Sequence, residues 1–214
     1  MNYTDKLEQT QVEGIPSAYQ LPPCPDCGIN AGMPHAPECD IERCSVCQCQ
    51  RLTCGCVGHD PSFAVWTGRF PVNKNAEISL ALSRDKRLRP KVGHCYRNCF
   101  RAIQVLPEFK NAIYVEGIVH LTRGFQIEHA WLERDGEIVD PTLPTQQGVY
   151  FSGLRFNGVV GLAEAMAIPK QSGSRDLPLF HRFGFGGHLS PEFTAARIAA
   201  KRMLEFEMGQ PSGS

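Results

Sequence analysis

Phe125-Gln126-Ile127-Glu128-His129-Ala130-Trp131, followed by Asp135-Gly136 and Glu137-Ile138-Val139-Asp140, carries the pattern of a β-hairpin. Phe125, Ile127, His129 and Trp131 alternate with Gln126, Glu128 and Ala130, the period-two pattern of a half-buried strand. Asp-Gly is a strong two-residue type I′ hairpin turn, and Glu137-Ile138-Val139 is the return strand. With that turn, Trp131 faces Asp140 and His129 faces Thr142. Asp140 then shares a face with His129 and lies diagonally beside it, while Glu128 points to the other face. A one-residue change of register would undo the pairing.

Working outward, Ala112–Val119 reads as a neighbouring strand. Before it, Cys95, Cys99, Ala102, Ile103 and Leu106 fall at helical spacing, and Pro107 stops the run. Gly93-His94-Cys95 therefore stands where a helix begins, with Cys95 at the positive end of the helix dipole. That helix is expected to pack on the sheet face bearing Phe125, Ile127 and Trp131, which need burial. Towards the C-terminus, Ser190-Pro191-Glu192 starts a helix that continues from Ala195 to Met208, after a loop at Gly184-Phe185-Gly186-Gly187. The fold class is α+β.

Length and composition bound the rest. The chain has 214 residues, 42% of them hydrophobic, enough for one substantial domain and a small one. Lys plus Arg and Asp plus Glu both number 22, so no whole-protein charge favours nucleic acid or an anionic membrane. No apolar run approaches the ~20 residues of a membrane helix. The N-terminus lacks a signal-peptide pattern, and the expected address is cytoplasmic. Residues 1–23 form a polar lead-in, 24–60 a cysteine-rich module, 61–92 a connector and 93–214 the α+β domain. Within the connector, the basic stretch Arg84–Lys91 reads as a solvated loop.

Eight of the ten cysteines lie between Cys24 and Cys56. In a reducing compartment such density means metal more often than disulfides. Two Cys-x2-Cys knuckles with an imidazole and three further thiols suit two closed tetrahedral Zn²⁺ sites built from Cys24, Cys27, His35, Cys39, Cys44, Cys47, Cys54 and Cys56. Sequential filling splits this set after Cys39; interleaved filling would join Cys24 and Cys27 to Cys44 and Cys47. Cys49 and His59 are left over as bystanders. The segment has too few large apolar residues for a core of its own, so its stability is expected to come from metal, separately from the hairpin domain. Its run Cys24-Pro25-Asp26-Cys27-Gly28 … His35 … Cys39-Asp40-Ile41-Glu42-Arg43-Cys44 resembles small zinc modules at the N-termini of uncharacterised bacterial and phage proteins. That resemblance implies a recognition element.

A nucleophilic thiol needs a lowered pKa, a base within hydrogen-bond reach and a group that orients the base. Cys95, His129 and Asp140 are the candidates. Taken singly, a His on an apolar face is most often a satisfied core residue, and free Cys is commonly buried and inert. Together, a helix-start Cys, a strand His and a next-strand Asp arise from independent local arguments and fit one triad.

Gly93-His94-Cys95-Tyr96-Arg97-Asn98, His129-Ala130-Trp131-Leu132 and Val139-Asp140-Pro141-Thr142 resemble the transglutaminase-like branch of the papain-type cysteine enzymes. The resemblance covers about residues 90–155, including Tyr150-Phe151-Ser152-Gly153. It implies a papain-like core, Cys95 as nucleophile, His129 as base and Asp140 as its orienter. The implied activity is that of a peptidase, amidase or acyltransferase working through a thioester on a protein or peptide. The alternative is a non-catalytic binding protein, its zinc module and degenerate papain-like domain acting on a protein or nucleic-acid partner.

Overall fold

The hairpin forms with the anticipated register. Leu132 pairs with Val139, Glu133 with Ile138 and Arg134 with Glu137. Asp135 and Gly136 both take positive φ, 53° and 77°, as a type I′ turn requires. The computed structural model describes residues 19–121, 124–170, 176–183 and 190–209. The first 18 residues of the lead-in and the expected loop at Gly184–Gly187 lie outside them.

Among the described residues the strands are β1 (Asn73–Lys74), β2 (Ile113–Leu121), β3 (Phe125–Arg134), β4 (Glu137–Val139) and β5 (Gly148–Asn157). The helices are α1 (Ala76–Ser83), α2 (Cys95–Val105), α3 (Gly158–Ala167) and α4 (Pro191–Gly209). The architecture is α+β, with one five-stranded sheet in the order β1-β4-β3-β2-β5. Only the β1–β4 pairing is parallel. β5 and α3 carried no clear signal in the sequence. β1 and α1 arise from the segment read as a connector, where the Asn75 side chain caps α1 by accepting from the Ile78 amide at 2.8 Å. Ser190 likewise accepts from the Phe193 amide at the start of α4. In the basic stretch most side chains are solvated as expected, although Leu88 is buried in the main core.

The packing of α2 corrects one expectation. Its buried side, Cys95, Cys99, Ala102 and Ile103, lies against Tyr114, Ala130, Leu132 and Val139, which is the opposite face of β3 from Trp131. Ala130 is the physical reason, because its small side chain lets the helix approach until the Cys99 thiol donates to the Ala130 carbonyl at 3.3 Å. Trp131 is buried without a helix, among Val115, Val119, Ile138 and Tyr150. Phe125 stays 68% exposed.

The cysteine-rich segment also shares the core of the sheet. Cys24, Ala31, Cys39, Val65 and Trp66 form one buried cluster with Phe151 and Leu154 of β5 and with Phe193, Ala196, Ala199, Ala200 and Met203 of α4. Trp66 Nε1 donates to the Pro22 carbonyl at 2.7 Å. Gly32 lies so close to α4 that a Cβ there would stand 2.0 Å from the Ala199 carbonyl oxygen. The expectation of a separately stabilised module gives way here to a continuous apolar interface.

No helix among the described residues is long and apolar enough to cross a membrane.

Candidate active site and metal centres

β4 ends at Val139, so the edge of β3 beyond Leu132 has no strand beside it. The chain turns out of β4 at Asp140, and the space left at this edge is where His129 and Asp140 meet. His129 Nε2 stands 2.8 Å from Asp140 Oδ2. An ionised carboxylate only accepts, so Nε2 carries the proton and donates. His129 is 2% exposed and Asp140 0%. Glu128 is exposed on the other side of the strand and bonds to neither.

Cys95 opens α2 near the same imidazole and acts on the ring's protonation, its sulfur lying outside hydrogen-bond geometry with it. With Nε2 donating to Asp140, Nδ1 is the ring nitrogen left free of that bond. Burial alone would push His129 down; the hydrogen bond to Asp140, with the nearby Cys95, outweighs it and raises the ring to about 9. For Asp140, burial works in the opposite direction and is overcome by the His129 hydrogen bond and charge, which hold the carboxyl below its usual range. The site thus favours an imidazolium held by a carboxylate, with the Cys95 thiol nearby. The first helical hydrogen bond of α2 runs from the Asn98 amide to the His94 carbonyl, leaving the amides of Cys95, Tyr96 and Arg97 without helical acceptors. Cys99, one turn on, is fully buried and burial pushes its thiol well up.

Several residues around this pair escaped the sequence reading. Asp140 Oδ1 accepts from the Thr142 and Leu143 amides, each at 2.9 Å. The Asp140 amide donates to Ser79 Oγ of α1 at 2.9 Å. Tyr150 OH of β5 donates to Asp140 Oδ2 at 3.0 Å, and Lys74 Nζ of β1 donates to Tyr150 OH at 3.0 Å. Glu116 of β2 is buried, accepting from the Leu179 and Phe180 amides at 2.7 and 2.8 Å and from Tyr114 OH at 2.7 Å. Burial raises it to about 7. It anchors the segment whose Phe180 ring meets Tyr96, the residue after Cys95, at 6.1 Å. Glu116 was hidden in an otherwise apolar strand, where a lone acid inside such a run was the available signal.

The cysteine-rich segment gathers its ligands sequentially. Cys24, Cys27, His35 and Cys39 form one group and Cys44, Cys47, Cys54 and Cys56 another, with the ligand atoms of each group all within 4.8 Å of one another. Both groups can hold a metal ion. The interleaved arrangement is excluded by this geometry. In the first group, Cys24 Sγ and Cys39 Sγ are 3.8 Å apart. His35 Nδ1 lies 3.5 Å from Cys27 Sγ and 3.1 Å from Cys39 Sγ. Tetrahedral zinc with bonds of about 2.3 Å to sulfur and 2.0–2.1 Å to nitrogen places such pairs about 3.8 and 3.6 Å apart, so the donor set fits that ion.

The two knuckles repeat one backbone design. The Cys24 amide donates to Ile29 O and the Gly28 amide to Cys24 O; the Cys44 amide donates to Cys49 O and the Gln48 amide to Cys44 O. Gly28 and Gln48 occupy the same left-handed position, φ 72° and 62°. Cys49 is exposed outside the second ligand group. His59 instead accepts from the Ser45 amide through Nδ1 and contacts Glu42 Oε1 at 3.1 Å through Nε2.

No family model, no curated protein and no solved structure matches this chain.

Proposed function

We propose that this protein is a cysteine hydrolase or acyltransferase with a papain-like, transglutaminase-like core, acting on a protein or peptide through a thioester on Cys95. The observation that carries this reading is the buried His129–Asp140 hydrogen bond of 2.8 Å with Cys95 nearby at the start of α2. The chain order, Cys on a helix, then His on a strand and Asp just after the end of the next, supports it.

In this mechanism the Cys95 sulfur attacks the substrate carbonyl carbon and His129 Nδ1–H delivers its proton to the leaving group. The carbonyl oxygen draws on the free amides at the α2 N-terminus. His129, now neutral, takes a proton from water or an amine as that nucleophile opens the thioester, and the thiolate–imidazolium pair returns. Asp140 holds the ring throughout.

The two cysteine-rich groups are read as structural zinc sites. All four positions of each are protein ligands, so the metal contributes folding energy and no chemistry. A reducing cytosol is the compartment in which so many thiols persist as ligands.

The deep burial of both Cys95 and His129 favours one other reading, a binding protein that keeps the triad without turnover. A broad thiol-directed acyl-transfer probe separates the two. The enzyme reading expects labelling that Cys95→Ala abolishes. Absence of Cys95-dependent labelling in folded, metal-loaded protein overturns it in favour of binding.

A further inference from the structure

The carboxylate of Asp140 is satisfied from all sides by His129, Tyr150 and two backbone amides, and its Tyr150 contact leads to a lysine in the segment read as a connector. We propose that Tyr150 and Lys74 are positioning residues for the His129–Asp140 pair, Tyr150 fixing the oxygen that orients the imidazole and Lys74 supplying a half-buried counter-charge. The inference rests on the catalytic reading of that pair and extends it to two residues on β5 and β1.

The geometry separates their roles. Tyr150 OH and His129 Nε2 converge on the same oxygen, Oδ2, at 3.0 and 2.8 Å. With Oδ1 held by the Thr142 and Leu143 amides, the carboxylate can neither rotate nor release the ring without losing two or more bonds. The Tyr150 ring is fixed in turn against Trp131, with centroids 5.0 Å apart. Lys74 reaches this site because β1 pairs in parallel with β4, Lys74 opposite Ile138. Its ammonium donates to Tyr150 OH and to the carbonyls of Leu143 and Gln146, so all three protons are placed.

Charge explains why a lysine belongs there. Asp140 is an ionised carboxylate with 0% exposure, in a region almost closed to water. An uncompensated buried charge is costly. Lys74 adds a positive charge on that side, and its charge is among the influences holding Asp140 ionised.

The titratable groups that bear on the His129–Asp140 pair are Cys95 and Cys99 of α2, Tyr150 of β5 and Lys74 of β1. Lys74 is the cation among them. Removing a positive charge near an imidazolium favours the protonated ring, so Lys74→Met must move the His129 titration upward. Losing the phenol leaves Asp140 with more charge for His129 alone, so Tyr150→Phe moves it the same way by less.

The experiment follows the His129 imidazole by NMR across pH in full-length, metal-loaded protein carrying labelled histidine. The midpoint is expected to rise by about half a unit or more in Lys74→Met and by a smaller, measurable amount in Tyr150→Phe. Lys74→Arg, which keeps the charge, should return it close to wild type, and Lys201→Met, remote on α4, should leave it unchanged. A purely structural Lys74 would lower the melting temperature without moving the midpoint, and that result overturns the proposal, as does a fall in the midpoint. If Lys74→Met does not fold, Tyr150→Phe carries the test, since phenylalanine keeps the ring contact with Trp131. Iodoacetamide labelling of the wild type distinguishes failure of the catalytic reading. A Cys95 no faster than Cys99 refutes the enzyme, while the His129 titration still decides whether Lys74 and Tyr150 control the pair.

Discussion

Asp140→Asn is the substitution that tests the site most directly. The side chain keeps its size, and its oxygen can still accept from the Thr142 and Leu143 amides. The change falls on the other side, where an NH2 group now faces His129 Nε2–H. Two donors cannot bond, so the imidazole must carry its proton on Nδ1 and lose the ability to take one from Cys95. The size of the effect follows from the ring. His129 is raised from 6.5 to about 9 in the folded protein, which at about 1.4 kcal/mol per unit is about 3 kcal/mol of preference for the imidazolium. A raised folded-state value adds stability that is complete below about 6.5 and disappears as the pH climbs through about 9. The lowered value of Asp140 adds stability above the ordinary carboxylate range and is lost in acid. The wild-type advantage over Asp140→Asn should therefore be larger at pH 6 than at pH 9.5 by about 3 kcal/mol. Urea unfolding of both proteins at the two pH values measures it. Iodoacetamide labelling of Cys95 at pH 7 should fall at least about tenfold in the variant, as imidazolium support for the thiolate is withdrawn. A stability difference independent of pH, with Cys95 labelling unchanged, would refute the pairing argument.

Three further outcomes are expected. Residue-resolved labelling of the metal-loaded wild type should modify Cys95 at least about tenfold faster than Cys99, whose thiol is fully buried and spent on the Ala130 carbonyl; equal slow rates would make both cysteines inert core. Elemental analysis should find two zinc ions per chain, with Cys24→Ser and Cys54→Ser each losing one, and only Cys24→Ser should loosen α4 in hydrogen exchange because only the first group shares its core. Gly32→Ala should cost about 3 kcal/mol in urea unfolding, since the glycine combines φ 92° with a Cβ position that collides with the Ala199 carbonyl; a loss below about 1 kcal/mol would mean that the segment and α4 are not pressed together.

Much of the site was legible because its parts are local. Alternation over 125–131, the Asp-Gly turn and a cysteine at a helix start are short-range features, and they were enough to put His129 and Asp140 side by side. The knuckles were legible for the same reason. Their ligands lie a few residues apart, and the backbone turn that closes each is set by the residues between.

What the sequence alone determined is the set of chemical groups and the local geometry of each: the hairpin register, the helix that begins at Cys95, and a run of eight side chains that could hold metal. The tertiary structure decided how these meet. It chose the Ala130 face of β3 for α2, divided the metal ligands sequentially, merged the first cluster with α4 and brought Ser79, Lys74 and Tyr150 around Asp140. The physical reason is range. A period or a turn depends on neighbours a few residues away, whereas Ser79 and Asp140 meet across 61 residues and Lys74 and Tyr150 across 76. Those contacts depend on which surfaces fit when the whole core closes, and side-chain volume, as at Ala130 and Gly32, settles that only once every layer is in place.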